Sequence, residues 1–111
     1  MIYLKSHNGE GDYVSWSHIK ADPTSSDGKN VKIIYDGLLS KSGADQVFMR
    51  AGFGTRRGWQ STYDHPLKKS DRGWESPVLH MNDDQLNFCF KDSASNWDNN
   101  NGENWTYVIK D

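Results

Sequence analysis

Hydrophobic and polar residues alternate along this chain in short runs, and the runs are separated by clusters of glycine, asparagine, aspartate, serine and proline. A period of two is the mark of a half-buried strand, and the 3.6-residue period of an amphipathic helix is nowhere sustained. The fairly even spacing of the runs predicts an all-β domain folded as an antiparallel β-sandwich. In Val31-Lys32-Ile33-Ile34-Tyr35, residues Val31, Ile33 and Tyr35 share one face. In Gln46 to Ala51, Val47, Met49 and Ala51 point to the core, while Gln46, Phe48 and Arg50 point away from it. Leu86, Phe88 and Phe90 form the clearest core stripe. Tyr13 to Ile19 predicts an earlier strand, and Pro77 to His80 and Trp105 to Ile109 predict later ones. From Gly52 to about Ser76 the pattern dissolves, and a loop-rich region is expected, with Trp59 following Gly58 and Trp74 following Gly73.

One segment resists this simple reading. Between Asn96 and Asn104 there are five asparagines in nine residues, and Trp97 stands among them. Asparagine, aspartate and glycine tolerate turn and left-handed conformations, so a surface crossing between two strands is expected here. Trp97 either folds back to cap the core or presents its indole to solvent. A solvent-facing ring among amide donors and acceptors suits a ligand with apolar faces and a rim of hydroxyls, as a hexose has.

Composition narrows the classes. The chain has 111 residues, enough for one domain with a real core, and it carries five Trp, five Tyr and four Phe, more rings than a small core needs. Its formal net charge is -2. Arg56-Arg57 and Lys68-Lys69 are isolated basic pairs, so the electrostatic footprint of a nucleic-acid binder is missing and a neutral partner is expected. The single cysteine, Cys89, lies in an apolar run and reads as a buried, inert thiol. No stretch reaches the length of a membrane span. The start Met-Ile-Tyr-Leu-Lys lacks the order of a signal peptide, so a cytoplasmic protein is the default expectation, and an extracellular one if the chain is a fragment of a secreted enzyme.

Three pieces of sequence, taken in order, carry a resemblance. Val47-Phe48-Met49-Arg50-Ala51-Gly52 with Trp59, then Gly73-Trp74-Glu75, then Leu86-Asn87-Phe88-Cys89-Phe90-Lys91-Asp92 leading into Asn96-Trp97-Asp98-Asn99-Asn100, resemble the family 25 carbohydrate-binding modules, starch-binding domains commonly attached to bacterial amylases. The resemblance runs from about Val31 to Ile109, which sets residues 1–30 apart as an N-terminal extension or added edge strand beside a sandwich of residues 31–111. It implies an immunoglobulin-like β-sandwich without catalytic activity or cofactor. The implied partners are an α-1,4-glucan such as starch, maltooligosaccharide or glycogen, and an attached or associated amylolytic enzyme.

The family's two binding tryptophans match Trp59 and Trp97. Its histidine position holds Arg50, which is longer and always charged. The aromatic two residues earlier matches Phe48, where the family often has tyrosine. The expected ligand-binding set is therefore Trp59, Trp97, Arg50 and Phe48, with Asn96, Asp98 and Asn99 as polar neighbours. Trp74 and Trp105 read as packing.

Other chemistries fit less well. Asp64-His65, Glu75, Asp83-Asp84 and Asp98 are the carboxylates and histidine an enzyme reading would use, but glycoside hydrolysis needs a cleft that raises one carboxyl pKa. His7, His18, His65 and His80 lack metal-ligand spacing. The run from Asp98 to Glu103 has its glycine one position early for a calcium loop and has Ile109 where the closing glutamate belongs. Asn104-Trp105-Thr106 is a glycosylation sequon by pattern alone. A different class remains open, a sandwich that uses the same exposed aromatics to dock a protein, with no affinity for sugar.

Overall fold

Backbone pairing gathers the alternating runs into two facing sheets. The computed structural model describes residues 3–5, 14–16, 18–54, 59–81, 85–99 and 104–109. Tyr13, His7, Arg56-Arg57, Asp83-Asp84 and the asparagine-loop residues 100–103 lie outside the described residues. In chain order the elements are β1 (Tyr3–Lys5), β2 (Val14–Trp16), β3 (Ile19–Pro23), β4 (Asn30–Tyr35), α1 (Leu38–Lys41), β5 (Val47–Phe53), β6 (Gln60–Pro66), β7 (Lys68–Ser70), β8 (Gly73–Glu75), β9 (Leu79–His80), β10 (Gln85–Asp92), β11 (Trp97–Asp98) and β12 (Trp105–Val108). The first sheet runs β1-β12-β10-β5-β6, with β11 also on β10, and the second runs β2-β3-β4-β8-β7, with β9 also on β4. β1 lies parallel to β12, and the other pairings are antiparallel. The fold is an all-β sandwich.

Alternation decides what fills the space between the sheets. Val47, Met49 and Ala51 from β5 and Leu86, Phe88 and Phe90 from β10 meet Ile19 and Ala21 from β3 and Val31, Ile33 and Tyr35 from β4 in one core cluster. The ring of Tyr35 stacks on that of Phe90 at 4.1 Å between centroids, joining the second sheet to the first. Trp105 packs beside Phe90 at 5.5 Å, and both Trp74 and Trp105 are buried, so these two indoles are packing residues as expected. Burying each such ring contributes about 1.5–3 kcal/mol relative to leaving it in water.

Three local features depart from the sequence expectation. The region from Gly52 to Ser76 holds three strands, β6, β7 and β8, rather than a long loop. β6 was hidden because it is the edge of its sheet: most of its described side chains face solvent, so Gln60-Ser61-Thr62-Tyr63-Asp64-His65-Pro66 shows no apolar alternation. The strand expected over Tyr13 to Ile19 is split at a turn by His18 into β2 and β3, and β3 runs on to Pro23. β3 falls within the N-terminal thirty residues and pairs along its length with β4. Finally, Leu38–Lys41 forms one helical turn, with Leu39 buried beneath it.

The β7–β8 hairpin reaches the core through a glycine. Gly73 has φ +118°, and a Cβ there would stand 2.5 Å from the main-chain oxygen of Tyr35. Any side chain would both occupy a strained conformation and push β8 from β4, which pairs with it through Tyr35 and Trp74. Gly73→Ala is accordingly expected to lower unfolding free energy by about 2 kcal/mol or more, from strain of about 1–3 kcal/mol plus the lost approach. Chemical denaturation checks this as a lower midpoint at an unchanged slope.

Candidate functional site

Register places the chemistry on the outer face of the first sheet. Residues directly opposite one another on neighbouring strands share a face. Trp97 is opposite Lys91, Lys91 is opposite Phe48, and Phe48 is opposite Pro66, so one row crosses β11, β10, β5 and β6. A neighbouring row sets Cys89, Arg50 and Asp64 side by side. Phe88 and Phe90 point into the core, and Lys91 therefore points out.

The tryptophan is delivered to this face by a tight turn. At the end of β10, the Asp92 carboxylate accepts hydrogen bonds from the backbone N–H groups of Ala94 and Asn96 at 3.0 and 2.8 Å and from the side-chain amide of Asn96 at 2.9 Å. The Asp92 N–H in turn donates to the Asn96 carbonyl at 3.0 Å. Asn96's donation holds the Asp92 carboxyl below its ordinary range. Ser95 takes φ 63°, which lets the chain double back as β11 alongside β10. Farther on, Asn104 takes φ 58° and its N–H donates to the Asn99 carbonyl at 2.8 Å, closing the asparagine loop.

Alternation then divides the two residues of β11. Trp97 goes outward, and Asp98, opposite Phe90, goes inward. The Asp98 carboxylate accepts the Tyr35 hydroxyl at 2.6 Å, while that hydroxyl oxygen accepts the Leu39 N–H at 2.9 Å. Burial first, then the hydrogen bond to Asp98, pushes the Tyr35 hydroxyl far above the ordinary phenol range, so it stays a donor. Asp98 thus anchors the loop.

Around Trp97 the charges are ordered by one carboxylate. Asp64 accepts Arg50 Nε at 2.8 Å and Arg50 Nη2 at 3.1 Å, a two-pronged pairing, and it also accepts Lys91 Nζ at 3.1 Å. The Arg50 guanidinium carbon lies 5.0 Å from the Trp97 ring centroid and Lys91 Nζ lies 5.4 Å from it, both within cation–π range. Lys91 Nζ is also 6.0 Å from the Phe48 ring. Trp97 nevertheless remains 42% exposed, so the cations brace the indole without sealing it. Beneath them Cys89 is buried, and burial pushes its thiol up to about 11, which keeps it protonated and unreactive.

The structure therefore brings together Trp97, Arg50 and Phe48 of the expected set. Asn96 braces the turn, Asp98 faces the core, and Asn99 is exposed with its backbone closing the loop. Trp59 is half-buried just before β6, at the end where Gln60 pairs with Phe53, whereas the Trp97 row meets β5 at Phe48. Those two ends of β5 are about 17 Å apart at the rise of a strand. Lys91 and Asp64 are the members that the sequence reading did not place in the site. Lys91 was legible from the alternation of Leu86, Phe88 and Phe90; Asp64 was not, because β6 itself was not expected.

A family model for the starch/carbohydrate-binding module, family 53, matches residues 31–88, just over half of the chain. The chain belongs to carbohydrate-binding module family 53. The matched segment holds Phe48, Arg50 and Trp59 and ends before Trp97. The module is also similar to an alpha-amylase of Clostridium acetobutylicum, with 34% identity over 100 residues that cover 86% of this chain and 12% of that amylase. It thus spans a small part of the length of this curated relative. No solved structure matches it. Starch or glucan binding is the activity that this membership assigns to the domain.

The Asp64 clamp carries a pH signature. Hydrogen bonding from Arg50, joined by Lys91, lowers its carboxyl from 3.8 to about 2. A folded-state pKa below the unfolded one gives stability that is complete above the unfolded value and lost as pH falls through the folded value. Thermal midpoints measured from about pH 5 down to about pH 2 should fall less steeply for Asp64→Asn than for the parent module. Parallel curves would show that the clamp adds nothing to folding.

Proposed function

We propose that the outer face of the first sheet binds an α-1,4-glucan, with Trp97 stacking on one sugar ring and Arg50 donating to its hydroxyls. The observation that carries this reading is Trp97 itself, 42% exposed and held over Arg50 and Lys91, which one carboxylate ties together. A glucan is neutral and rich in hydroxyls. Asp64 offsets part of the positive charge, while the flat indole covers a C–H face of the sugar and the guanidinium replaces water at its rim. A tryptophan from the asparagine segment set beside Arg50 of β5 also supports the finer likeness to family 25, with Arg50 standing where that family has histidine.

Binding without catalysis fits the same geometry. Asp64 and Glu75, two of the acids an enzyme would use, are both held near 2 by paired guanidinium groups, so neither carries a proton to donate at neutral pH. They stand on strands of different sheets, Asp64 on β6 and Glu75 on β8. The module's similarity to a small part of an amylase supports a partnership in which it keeps a catalytic domain near insoluble or branched glucan.

If sugar stacking resembles aromatic stacking on a base, each ring contributes about 1–3 kcal/mol. Trp97→Ala should therefore weaken maltoheptaose binding by about 5- to 150-fold and abolish retardation in a native gel containing soluble starch, with the thermal midpoint nearly unchanged. Trp59→Ala should cost long maltooligosaccharides more than maltose, because only a long chain reaches from one end of β5 to the other. Titration calorimetry across a series of chain lengths measures both effects. Unchanged mobility of the parent protein in every soluble polysaccharide would instead favour a protein partner for these rings.

A further inference from the structure

β6 borders its sheet, so side chains on both of its faces are reachable from solvent. Asp64 and Pro66, opposite Arg50 and Phe48, belong to the outer face with Trp97. Tyr63 and His65, opposite Ala51 and Met49, leave the strand on its other side. At the middle of the sheet that side is the core, but at the edge it is open. Tyr63 is 67% exposed, more than any other large apolar or aromatic side chain among the described residues.

Tyr63 does not stand alone. Its ring centroid lies 6.0 Å from that of His65, and the two planes are inclined by 48°. Inclined rings two positions apart suit a polymer whose sugars turn from one to the next, as α-1,4 linkage makes them do. Burial holds the His65 imidazole below its ordinary value against the pull of Asp64, leaving it neutral near pH 7. A neutral imidazole offers one donor and one acceptor, and a phenol offers both, which matches the hydroxyls of a sugar.

We propose that Tyr63 and His65 form a second α-glucan site, on the side of β6 opposite the Arg50–Asp64–Trp97 cluster. This inference rests on the glucan-binding reading of the module and adds a separate place of attachment. The backbone of β6 stands between the two sites, so a short oligosaccharide occupies one or the other, and a polysaccharide presented in many strands engages both. The module is then bivalent, and it cross-links glucan as well as clinging to it.

Aromatic NMR during titration of the intact chain with maltotriose tests this directly. The expected result is movement of the Tyr63 and His65 ring signals as well as that of the Trp97 indole. In Trp97→Ala the Tyr63 and His65 shifts should persist with an apparent affinity within about twofold of the parent, and in Tyr63→Ala the Trp97 shift should persist likewise. Both variants should lose the turbidity that the parent produces with soluble glycogen. Fixed Tyr63 and His65 signals while Trp97 moves would overturn the second site and leave the first intact. Loss of every shift in Trp97→Ala would make the two clusters one site and also overturn it. If no ring moves with any α-glucan, the glucan reading falls together with this inference.

Discussion

A buried hydroxyl decides where this module's surface chemistry sits. Tyr35 belongs to the second sheet, yet its oxygen reaches Asp98 on the short strand of the first, at 2.6 Å. The ring carrying that oxygen is fully buried and stacked on Phe90, the residue that pairs with Asp98. A hydrogen bond to a charged acceptor in such a place is worth about 1.5–3 kcal/mol, and leaving either partner unsatisfied costs a similar amount. Asp98 is therefore held inward. Strand alternation then leaves Trp97 one direction only, toward solvent, so a core interaction sets the orientation of a surface ring.

The second constraint is electrostatic. An exposed indole beside two cations would be poorly defined if the cations were free to move, since each long side chain has many rotamers. Asp64 removes that freedom from both. It grips Arg50 through two nitrogens and Lys91 through one, and the fork geometry of arginine makes the first grip specific. Arg50 is thus accommodated by its neighbours: its length reaches the ring of Trp97, and a carboxylate on the adjacent strand fixes its plane. A lone surface ion pair contributes about 0–1 kcal/mol, so this pairing of one carboxylate with two cations adds modestly to folding while it orders the side chains around Trp97.

How much of this was legible in the sequence follows from which residues face the core. β5 and β10 are covered on one side, so Val47, Met49, Ala51 and Leu86, Phe88, Phe90 announced both the strands and their faces, and with them the outward positions of Phe48, Arg50 and Lys91. β6 has no such stripe because it ends its sheet, and Asp64 looked like a candidate acid rather than a clamp. The asparagine loop announced turns by its composition, but not that Trp97 and Asp98 pair with β10 as β11. The inward path of Asp98 was not legible either, because its partner is Tyr35, far away in sequence, and no local pattern reports a contact of that range. Trp74 illustrates the opposite case: it read as packing and is buried, with Gly73 beside it letting β8 approach the main chain of Tyr35 closely.

An open sheet face limits what such a site does. Water is not excluded from it, so hydrogen bonds to a sugar replace equally good bonds to solvent, and the net gain per contact stays small. Two ring contacts together with a few polar ones correspond to an affinity in the micromolar to millimolar range, at about -4 to -8 kcal/mol. An interaction of that strength releases its ligand readily. If the module is joined to a catalyst, as proposed above, this is an advantage: such a catalyst must stay near its polymer and still move along it, and repeated weak contacts achieve both where one tight contact would hold it still.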